Sequence, residues 1–494
     1  MLESYFQQFR ENIIGVDTEF ETPFGVKPII YADWIASGRL YGPIEDRLRN
    51  DIAPFVGNTH TESTVTGATM TNAYHEALSM IKQHVGAHES DVIICSNSGM
   101  TGVVNKFQRI LGLKVHERFQ KQVHIGSHEK PVVFCSHMEH HSNQTSWLET
   151  IVDLEVIQPD KKGLMDVDHL HKLLGKYADR NVKIAAITSC SNVTGVFTPY
   201  HEVAEIMHKH GGLCFVDFAA SAPYIDIDMH PEEPLQKLDA IYFSPHKFLG
   251  GPGSSGVLVF DSSLYKNKIP DNPGGGTVDW TNPWGEHKYI DQIEAREDGG
   301  TPSFLQTMRA ALSIKLKEEM DTEKILEREK EIMAILWDRL EGVPGLHILA
   351  PDVKHRLGIL SLYIDDLHYN LATRILNDRF GIQARGGCSC AGTYGHYLLH
   401  VTPEHSHSIT SLIDHGDHSK KPGWLRLSFH PTTTNTEVHK IVDAMKLLAD
   451  NHREWAKGYD YDRHTNEFRR KGEADTEHAR AKSWFKTSLQ KELT

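Results

Sequence analysis

The sequence contains no long hydrophobic run. Hydrophobic residues make up 39% of the 494-residue chain, and no apolar stretch approaches the ~18 residues that a membrane-spanning helix needs. The N-terminal residues include acidic Glu3 and lack the basic region and small-residue cleavage site of a secretory signal. We therefore expect a cytoplasmic protein that has no membrane partner.

Cysteine and positive charge are also scarce. Six cysteines in so long a chain are too few for a disulfide framework. The 52 lysines and arginines are outnumbered by 66 acidic residues, and the formal net charge is −14. Nucleic-acid binding draws on basic surface, so this balance argues against a nucleic-acid partner. The length predicts two or three domains.

Short apolar runs alternate with amphipathic segments between about residue 90 and residue 260. Such runs are typical of parallel strands that are buried on both faces. They lie at 92–95, 132–135, 152–157, 182–188, 213–216, 240–243 and 256–260. The pattern predicts an α/β fold with a large domain built on a mostly parallel seven-stranded sheet.

The remaining sequence divides into segments of different character. Residues 261–302 are rich in Gly, Pro, Asn and Trp without a lasting period, which indicates a long functional loop or a boundary. Two helical stretches and a smaller α/β unit follow, and the charged residues after 455 predict a peripheral helix or disorder. We expect an N-terminal segment packing with the small domain (1–30), a large α/β domain (31–302), a small C-terminal α/β domain (303–454) and a charged tail (455–494).

Three polar features follow strand ends in the large domain, where open parallel sheets bind their ligands. They are the Gly/Ser/Thr-containing turn at 96–102, the carboxylate of Asp217, and the Ser-Pro-His-Lys segment that ends at Lys247. Each alone is a weak signal, because such a turn is more often only a turn and a lysine after a strand is normally solvated. Together they match what pyridoxal 5′-phosphate (PLP) requires: an anion cradle, a carboxylate for the pyridine nitrogen, and a lysine that forms a Schiff base.

Further motifs make the match specific. They are Ser-Pro-His-Lys at 244–247, Glu-His-His-Ser-Asn at 139–143 and Ser-Asn-Val-Thr-Gly at 191–195. On these motifs the chain, from about Tyr31 to about Leu448, resembles the class V aminotransferases of PLP fold type I. Within that family it is similar to the cysteine desulfurase/selenocysteine lyase branch.

The resemblance implies roles for individual residues. Lys247 would form the Schiff base and His140 would stack on the cofactor ring, both as catalytic residues. The other implied cofactor contacts are Met100, Thr101, Asn192, Asp217, Ser244, His246 and Thr301. Arg426, with Asn192 and Arg385, would bind the substrate. Thr301 lies in a Gly-Thr-Pro element that, in the family, reaches the neighbouring subunit's phosphate, which implies a homodimer with a shared active site.

Two cysteines lie in a glycine-rich segment that follows Arg385. Cys390 stands where desulfurases of this branch carry their nucleophile, and the four glycines between 386 and 395 would permit loop motion. A tight glycine turn with two incidental thiols is the alternative. We predict no metal site, because no second cysteine pair accompanies Cys388 and Cys390. The other four cysteines lie in or beside apolar runs and are expected to be buried.

Two departures affect the expected reaction. Ala220 stands where many desulfurases have a glutamine, and Cys388 is additional to the usual pattern. A histidine-rich stretch at 396–418 is expected to be a solvated loop or lid, in preference to a metal site. The leading hypothesis is removal of sulfur from L-cysteine to give L-alanine through a Cys390 persulfide, with a sulfur-acceptor protein. The alternatives are an aminotransferase, epimerase or C–S lyase acting on another amino acid, and a non-catalytic scaffold.

Overall fold

The computed structural model describes residues 2–96, 98–472 and 476–485. Its N-terminal part contains short elements followed by one long helix. These are α1 (Glu3–Arg10), β1 (Glu19–Thr22), β2 (Gly25–Pro28), β3 (Ile30–Tyr31), α2 (Gly42–Arg47) and α3 (Val65–His84). Phe6 and Phe9 of α1 are buried in the largest hydrophobic core, while Arg10 pairs with Glu437 near the C-terminus at 2.9 Å. The N-terminal segment therefore contacts both parts of the protein.

All seven predicted apolar runs form strands of one central sheet. The elements of this region are β4 (Val92–Ser96), α4 (Met100–Ile110), α5 (Glu117–Gln120), β5 (Val132–Ser136), α6 (His141–Leu148), β6 (Asp153–Ile157), α7 (Val167–Lys176), β7 (Lys183–Thr188), α8 (Tyr200–Lys209), β8 (Leu213–Asp217), β9 (Ala240–Phe243) and β10 (Gly256–Phe260). The strand order is β4-β10-β9-β8-β7-β5-β6. Only β10 runs antiparallel to its neighbours, so the predicted mostly parallel sheet is confirmed.

The segment at 261–302 contains regular structure that the sequence did not indicate. Strands β11 (Val278–Thr281) and β12 (His287–Tyr289) form an antiparallel hairpin, and α9 (Ile293–Glu297) follows. The strands of this hairpin are largely exposed, and Trp280 is half exposed. Because neither face of the hairpin is buried, its residues carry no apolar alternation by which the hairpin could be recognised.

A smaller α/β unit follows, as predicted. It contains a four-stranded antiparallel sheet of order β13-β14-β17-β16. The elements of this part of the chain, beginning with two long helices, are α10 (Phe304–Met320), α11 (Thr322–Leu340), β13 (Leu346–Ile348), β14 (Ile359–Ile364), α12 (Tyr369–Phe380), β15 (Ile382–Gln383), β16 (Arg385–Gly387), α13 (Gly392–Leu398), α14 (Pro403–Asp414), β17 (Trp424–Ser428) and α15 (Asn435–Trp455). Helices α11, α12 and α15 cover this sheet with a second core. The large domain with its seven-stranded sheet and the smaller C-terminal unit agree with the expected fold type I architecture.

Two polar segments are more ordered than their sequences indicate. The histidine-rich stretch at 396–418, expected to be a solvated loop or lid, forms the end of α13 and the whole of α14, whose side chains are mainly exposed. The charged tail, expected to be helical or disordered, first forms a hairpin of β18 (Tyr459–Asp462) and β19 (Glu467–Arg470), and then α16 (Thr476–Trp484). Tyr459 ties the hairpin to the second core by donating a hydrogen bond to Asp378 at 3.0 Å.

Parts of two predictions lie outside the described residues. They are Asn97 in the predicted phosphate turn, and residues 473–475 and 486–494 of the tail. No helix within the described residues has the length and apolarity to cross a membrane.

Candidate active site

A cleft of about 260 Å³ opens at the carboxyl ends of the parallel strands and is also lined by the small domain. Asp217 ends β8, and the segments that follow β5, β7 and β9 supply further side chains. The cleft brings together eleven of the twelve predicted site residues. They are Met100, Thr101, His140, Asn192, Asp217, Ser244, His246, Lys247, Arg385, Cys390 and Arg426.

Lys247 and Asp217 form the charged centre of the cleft. Asp217 is buried, and one of its carboxylate oxygens accepts a hydrogen bond from the Ala219 backbone N–H at 2.8 Å. Burial raises the pKa of Asp217 to about 6, against the lowering effects of that N–H and of Lys247. Burial lowers the pKa of Lys247 to about 8, against the raising effect of Asp217. Near neutral pH the neutral, nucleophilic fraction of this lysine is therefore much larger than that of an exposed lysine, although the charged form still dominates.

An anion-binding corner lies where α4 begins. The backbone N–H of Met100 donates a hydrogen bond to Ser244 Oγ at 2.9 Å, and the hydroxyls of Thr101 and Ser142 lie 2.6 Å apart. The N-terminus of this eleven-residue helix carries a partial positive charge. Hydroxyls and a helix N-terminus that converge in this way form a phosphate-type site.

Two histidines beside this corner are kept neutral. Burial, reinforced by the charge of Lys247, lowers the pKa of His140 to about 3 and that of His246 to about 4. A Cβ atom on Gly99 would lie 3.2 Å from Ser244 Oγ and 3.6 Å from the His246 ring. Glycine at this position thus leaves room beside both side chains.

Arg385 and Arg426 lie directly opposite each other on β16 and β17, and Asp33 holds both. Asp33 accepts hydrogen bonds from Arg385 Nε at 3.0 Å and from Arg426 Nη2 at 2.9 Å. Arg426 Nη1 donates to the Asn192 carbonyl at 3.1 Å. Our interpretation of the sequence missed Asp33. The available signal was a single carboxylate within the apolar segment at 29–36, because a buried carboxylate needs a cationic partner.

Cys390 lies on the cleft wall and is exposed, whereas Cys388 is half buried and does not line the cleft. Ser389 and Cys390 both have left-handed backbone conformations, with φ of 51° and 55°. The Ser389 carbonyl accepts a hydrogen bond from Asn192 Nδ2 at 2.8 Å. The four remaining cysteines, at positions 95, 135, 190 and 214, are buried as predicted.

Thr301 is the predicted site residue that lies outside the cleft. It is exposed and donates a weak hydrogen bond to Asn58 Oδ1 at 3.4 Å. It lines a second cavity of about 750 Å³, together with residues such as His60 and Asp298. Its contact with a neighbouring subunit stays a prediction.

A separate cluster of His88, Asp91 and His230 has metal-ligand atoms within 4.8 Å of one another. Asp91 precedes β4, at the opposite end of that strand from the cleft. Its carboxylate accepts a hydrogen bond from the His88 backbone N–H and lies 2.7 Å from His230 Nε2. The two imidazoles stack in parallel with centroids 3.6 Å apart. Ring nitrogens in parallel planes do not point at a common ion, so this arrangement is a hydrogen-bonded cluster and not a formed metal site.

The cleft residues fit PLP. Asn192 Oδ1, Ser389 Oγ and Arg426 Nε are buried and have no hydrogen-bond partner within the described residues. Because unpaired buried polar atoms are costly, hydrogen bonds to a polar ligand in the cleft would stabilise these three groups. The hydroxyls and helix N-terminus at Met100, the carboxylate of Asp217 and the amine of Lys247 have the chemistry to pair with a phosphate, a pyridine nitrogen and an aldehyde, respectively.

Comparisons with known proteins show the family to which this chain belongs. The family model for aminotransferase class-V matches residues 30–441. A probable cysteine desulfurase of Halalkalibacterium halodurans is 27% identical over 370 residues, which cover 74% of this chain and 84% of that protein. One of Staphylococcus epidermidis is 27% identical over 428 residues, covering 85% and 92%.

Solved structures show the same fold. The apo structure of a cysteine desulfurase from Thermococcus onnurineus NA1 superposes with a TM-score of 0.69 at 20% identity, covering 86% of this chain and 95% of that one. The cysteine desulfurase CsdA of Escherichia coli, in an S-sulfonic acid form, gives 0.67 at 20% identity, covering 91% and 98%. With a family model that spans most of its length, this chain belongs to the class V aminotransferase family of PLP-dependent enzymes.

Proposed function

We propose that this protein is a PLP-dependent cysteine desulfurase that converts L-cysteine into L-alanine and takes the sulfur onto Cys390. The observation that carries the proposal is that one cleft is lined by Lys247, Asp217, Arg426 and the exposed thiol of Cys390. The relatives that are named probable cysteine desulfurases support it.

Residues from the large domain would hold the cofactor. The helix N-terminus at Met100, with Thr101, Ser244 and His246, would bind the phosphate. Asp217 would pair with the pyridine nitrogen and the neutral ring of His140 would stack on the cofactor. When bound, PLP supplies an electron sink for charge that develops at the substrate Cα.

Arg426 would bind the substrate α-carboxylate. Two of its nitrogens are held by Asp33 and Asn192, which fixes the plane of the guanidinium. Its buried Nε has no partner within the described residues, and a planar guanidinium binds a carboxylate well only when it is oriented. Arg385, which is more exposed, would add positive charge at the entrance.

Lys247 would move the proton at Cα. A general base works best when its pKa lies near the working pH, and burial brings the pKa of Lys247 to about 8. Its amine can therefore accept the Cα proton and return a proton to the product carbon.

Cys390 would take the sulfur. Its thiolate attacks the substrate sulfur; a Cys390–sulfur bond forms, the substrate Cβ–sulfur bond breaks, and the electron pair left on Cβ is protonated to give alanine. Cysteine and the enzyme thiol thus yield alanine and an enzyme persulfide, with atoms and electrons balanced. The thiol must be free for this step, so we also propose a reducing, cytoplasmic setting.

Partners follow from the same proposal. The persulfide requires a sulfur-acceptor protein or small thiol to complete the cycle. Thr301 lies outside its own chain's cleft, which supports a homodimer in which it contacts the partner's site. We also propose that the N-terminal segment, the large domain and the small domain end at residues 30, 302 and 454, respectively.

A substrate panel tests the function. PLP-loaded protein is incubated with individual L-amino acids, cysteine included, and alanine, sulfide, pyruvate and keto acids are measured. We expect alanine from cysteine, with sulfide released only when a reducing thiol is present. Formation of keto acids would favour an aminotransferase, and pyruvate with sulfide would favour a C–S lyase; either result without alanine would refute the proposal. All these products must be measured because Ala220 lines the cleft at the position where many cysteine desulfurases have a glutamine.

A further inference from the structure

The first residue of helix α6, His141, forms two hydrogen bonds with the loop that carries Cys390. The backbone N–H of His141 donates a hydrogen bond to the Cys390 carbonyl at 2.7 Å. The Gly392 backbone N–H donates in the other direction, to His141 Nε2, at 2.9 Å. His141 therefore binds the two peptide groups that flank Ala391, one through its backbone N–H and the other through its ring.

We propose that His141 is a positioning residue that holds Cys390 in the cleft, by accepting the Gly392 N–H on its neutral ring. The inference rests on the proposed function, in which Cys390 is the nucleophile. His140, the N-cap of the same helix, lines the cleft and is the implied ring-stacking residue. The loop is thus fixed to the chain segment that faces the cofactor.

The loop needs this support from outside. Ser389 and Cys390 have positive φ values, which are unfavourable for residues with a Cβ atom. Such a conformation persists when surrounding contacts hold it. Besides His141, these contacts include the Asn192 amide on the Ser389 carbonyl, at 2.8 Å, and the Thr393 hydroxyl on Gln144 Oε1, at 2.7 Å.

The fit between His141 and the loop is close. A Cβ atom on Gly392 would lie only 3.1 Å from His141 Nε2 and 3.9 Å from Cε1. Glycine at 392 therefore allows the backbone to approach the ring to hydrogen-bond distance.

Unlike the Asn192 and Gln144 amides, His141 titrates. A protonated imidazole has hydrogens on both nitrogens and cannot accept the Gly392 N–H. The charged or titratable groups that face His141 are His140 on the same helix end, Lys421 from the segment before β17, and Cys390. Burial first, and then Lys421, lowers the pKa of His141, so the ring stays an acceptor near neutral pH and loses this role on acidification.

Hydrogen–deuterium exchange of the loop tests the proposal in the PLP-loaded protein. In His141→Ala we expect exchange of the peptide that contains Gly392 to rise about tenfold, as for the loss of one buried hydrogen bond. Alanine formation should fall while the visible absorbance of lysine-bound PLP stays unchanged. His141→Gln, whose Oε1 can take the place of Nε2, should restore protection, and the exposed His171→Ala is the matched control.

The pH profile separates positioning from a general structural role. After correction for intrinsic exchange, wild-type protection at Gly392 should fall on acidification, whereas protection in His141→Gln should not. Exchange in His141→Ala equal to that in His171→Ala, or wild-type protection that is independent of pH, would overturn the proposal. Loop exchange is read without turnover, so this result is distinct from a failure of Cys390 to act as the nucleophile.

Discussion

The carboxylate of Asp33 accepts a hydrogen bond at 2.9 Å from the guanidinium of Arg426, which lines the cleft. The other oxygen of Asp33 accepts a hydrogen bond from Arg385, which is paired with Arg426 on the neighbouring strand. Two arginines at directly paired positions repel each other. The anion between them relieves this repulsion and orients the arginine that we assign to substrate binding.

Asp33→Asn should therefore lower stability. Arg426 is almost completely buried, so it would lose its main neutralising partner in a poorly solvated place. We expect the free energy of unfolding, measured by urea denaturation, to fall by roughly 2 kcal/mol. Asp366→Asn breaks the exposed Arg453–Asp366 pair and should change stability by less than about 0.5 kcal/mol. Equal effects of the two variants would contradict this account.

Lys247→Ala should remove the covalent link to PLP. The purified variant is expected to lack the visible absorbance of lysine-bound PLP and to form no alanine, because no other lysine lines the cleft within the described residues. Lys288→Ala, at an exposed lysine of the β11–β12 hairpin, should keep the wild-type spectrum. An unchanged spectrum in Lys247→Ala would exclude Lys247 from the assigned role.

Cofactor loading should depend on pH in two steps. The pKa of Asp217 is raised to about 6, so its carboxylate is charged above that pH and the affinity for PLP should fall as pH drops through 6. The pKa of Lys247 is lowered to about 8, so the loading rate should rise towards pH 8 as the amine becomes neutral. Reconstitution of apo-protein, followed by absorbance, measures both. Asp217→Asn should lose the step near 6, and its persistence would argue against Asp217.

Glu329 should destabilise the protein as pH rises. It is buried, accepts one hydrogen bond from the Gly358 N–H at 3.2 Å, and has its pKa raised to about 8 by burial. Above pH 4.5 the unfolded state loses this proton while the folded state keeps it, so stability falls from about pH 4.5 to 8. The stability gain of Glu329→Gln over wild type should grow by up to roughly 1.4 kcal/mol per pH unit in that window. A gain that does not vary with pH would contradict the assignment.

Burial decides what could be predicted from the sequence. Six strands of the central sheet are buried along nearly their whole length, so each is a nearly continuous apolar run. The edge strand β6 is half buried and includes Asp153 and Glu155, but it was also predicted. The β11–β12 hairpin lies mostly in solvent, and its pattern carries no such signal. Helix α14 buries only Ile409, yet Thr402 caps it and Pro403 starts it, which are helix signals that its polar composition obscured.

The site was predictable to the extent that its residues lie in contiguous motifs. Lys247, His140 and Asn192 each belong to such a motif and meet in the cleft. Asp33 has no local motif, and its partner Arg426 is 393 positions away in the chain. The hydrogen bond from Gly392 to His141 likewise joins two segments that are distant in the chain.

The central claim, that Cys390 receives the sulfur, is tested most directly by a single turnover with L-cysteine in the absence of a reducing thiol. We predict about one alanine per active site in wild type and in Cys388→Ser, with one sulfur atom added to Cys390 by peptide mass spectrometry. Cys390→Ser should bind PLP with an unchanged spectrum and form no alanine. Alanine formation by Cys390→Ser at the wild-type rate, or the added sulfur on Cys388 instead, would contradict the account.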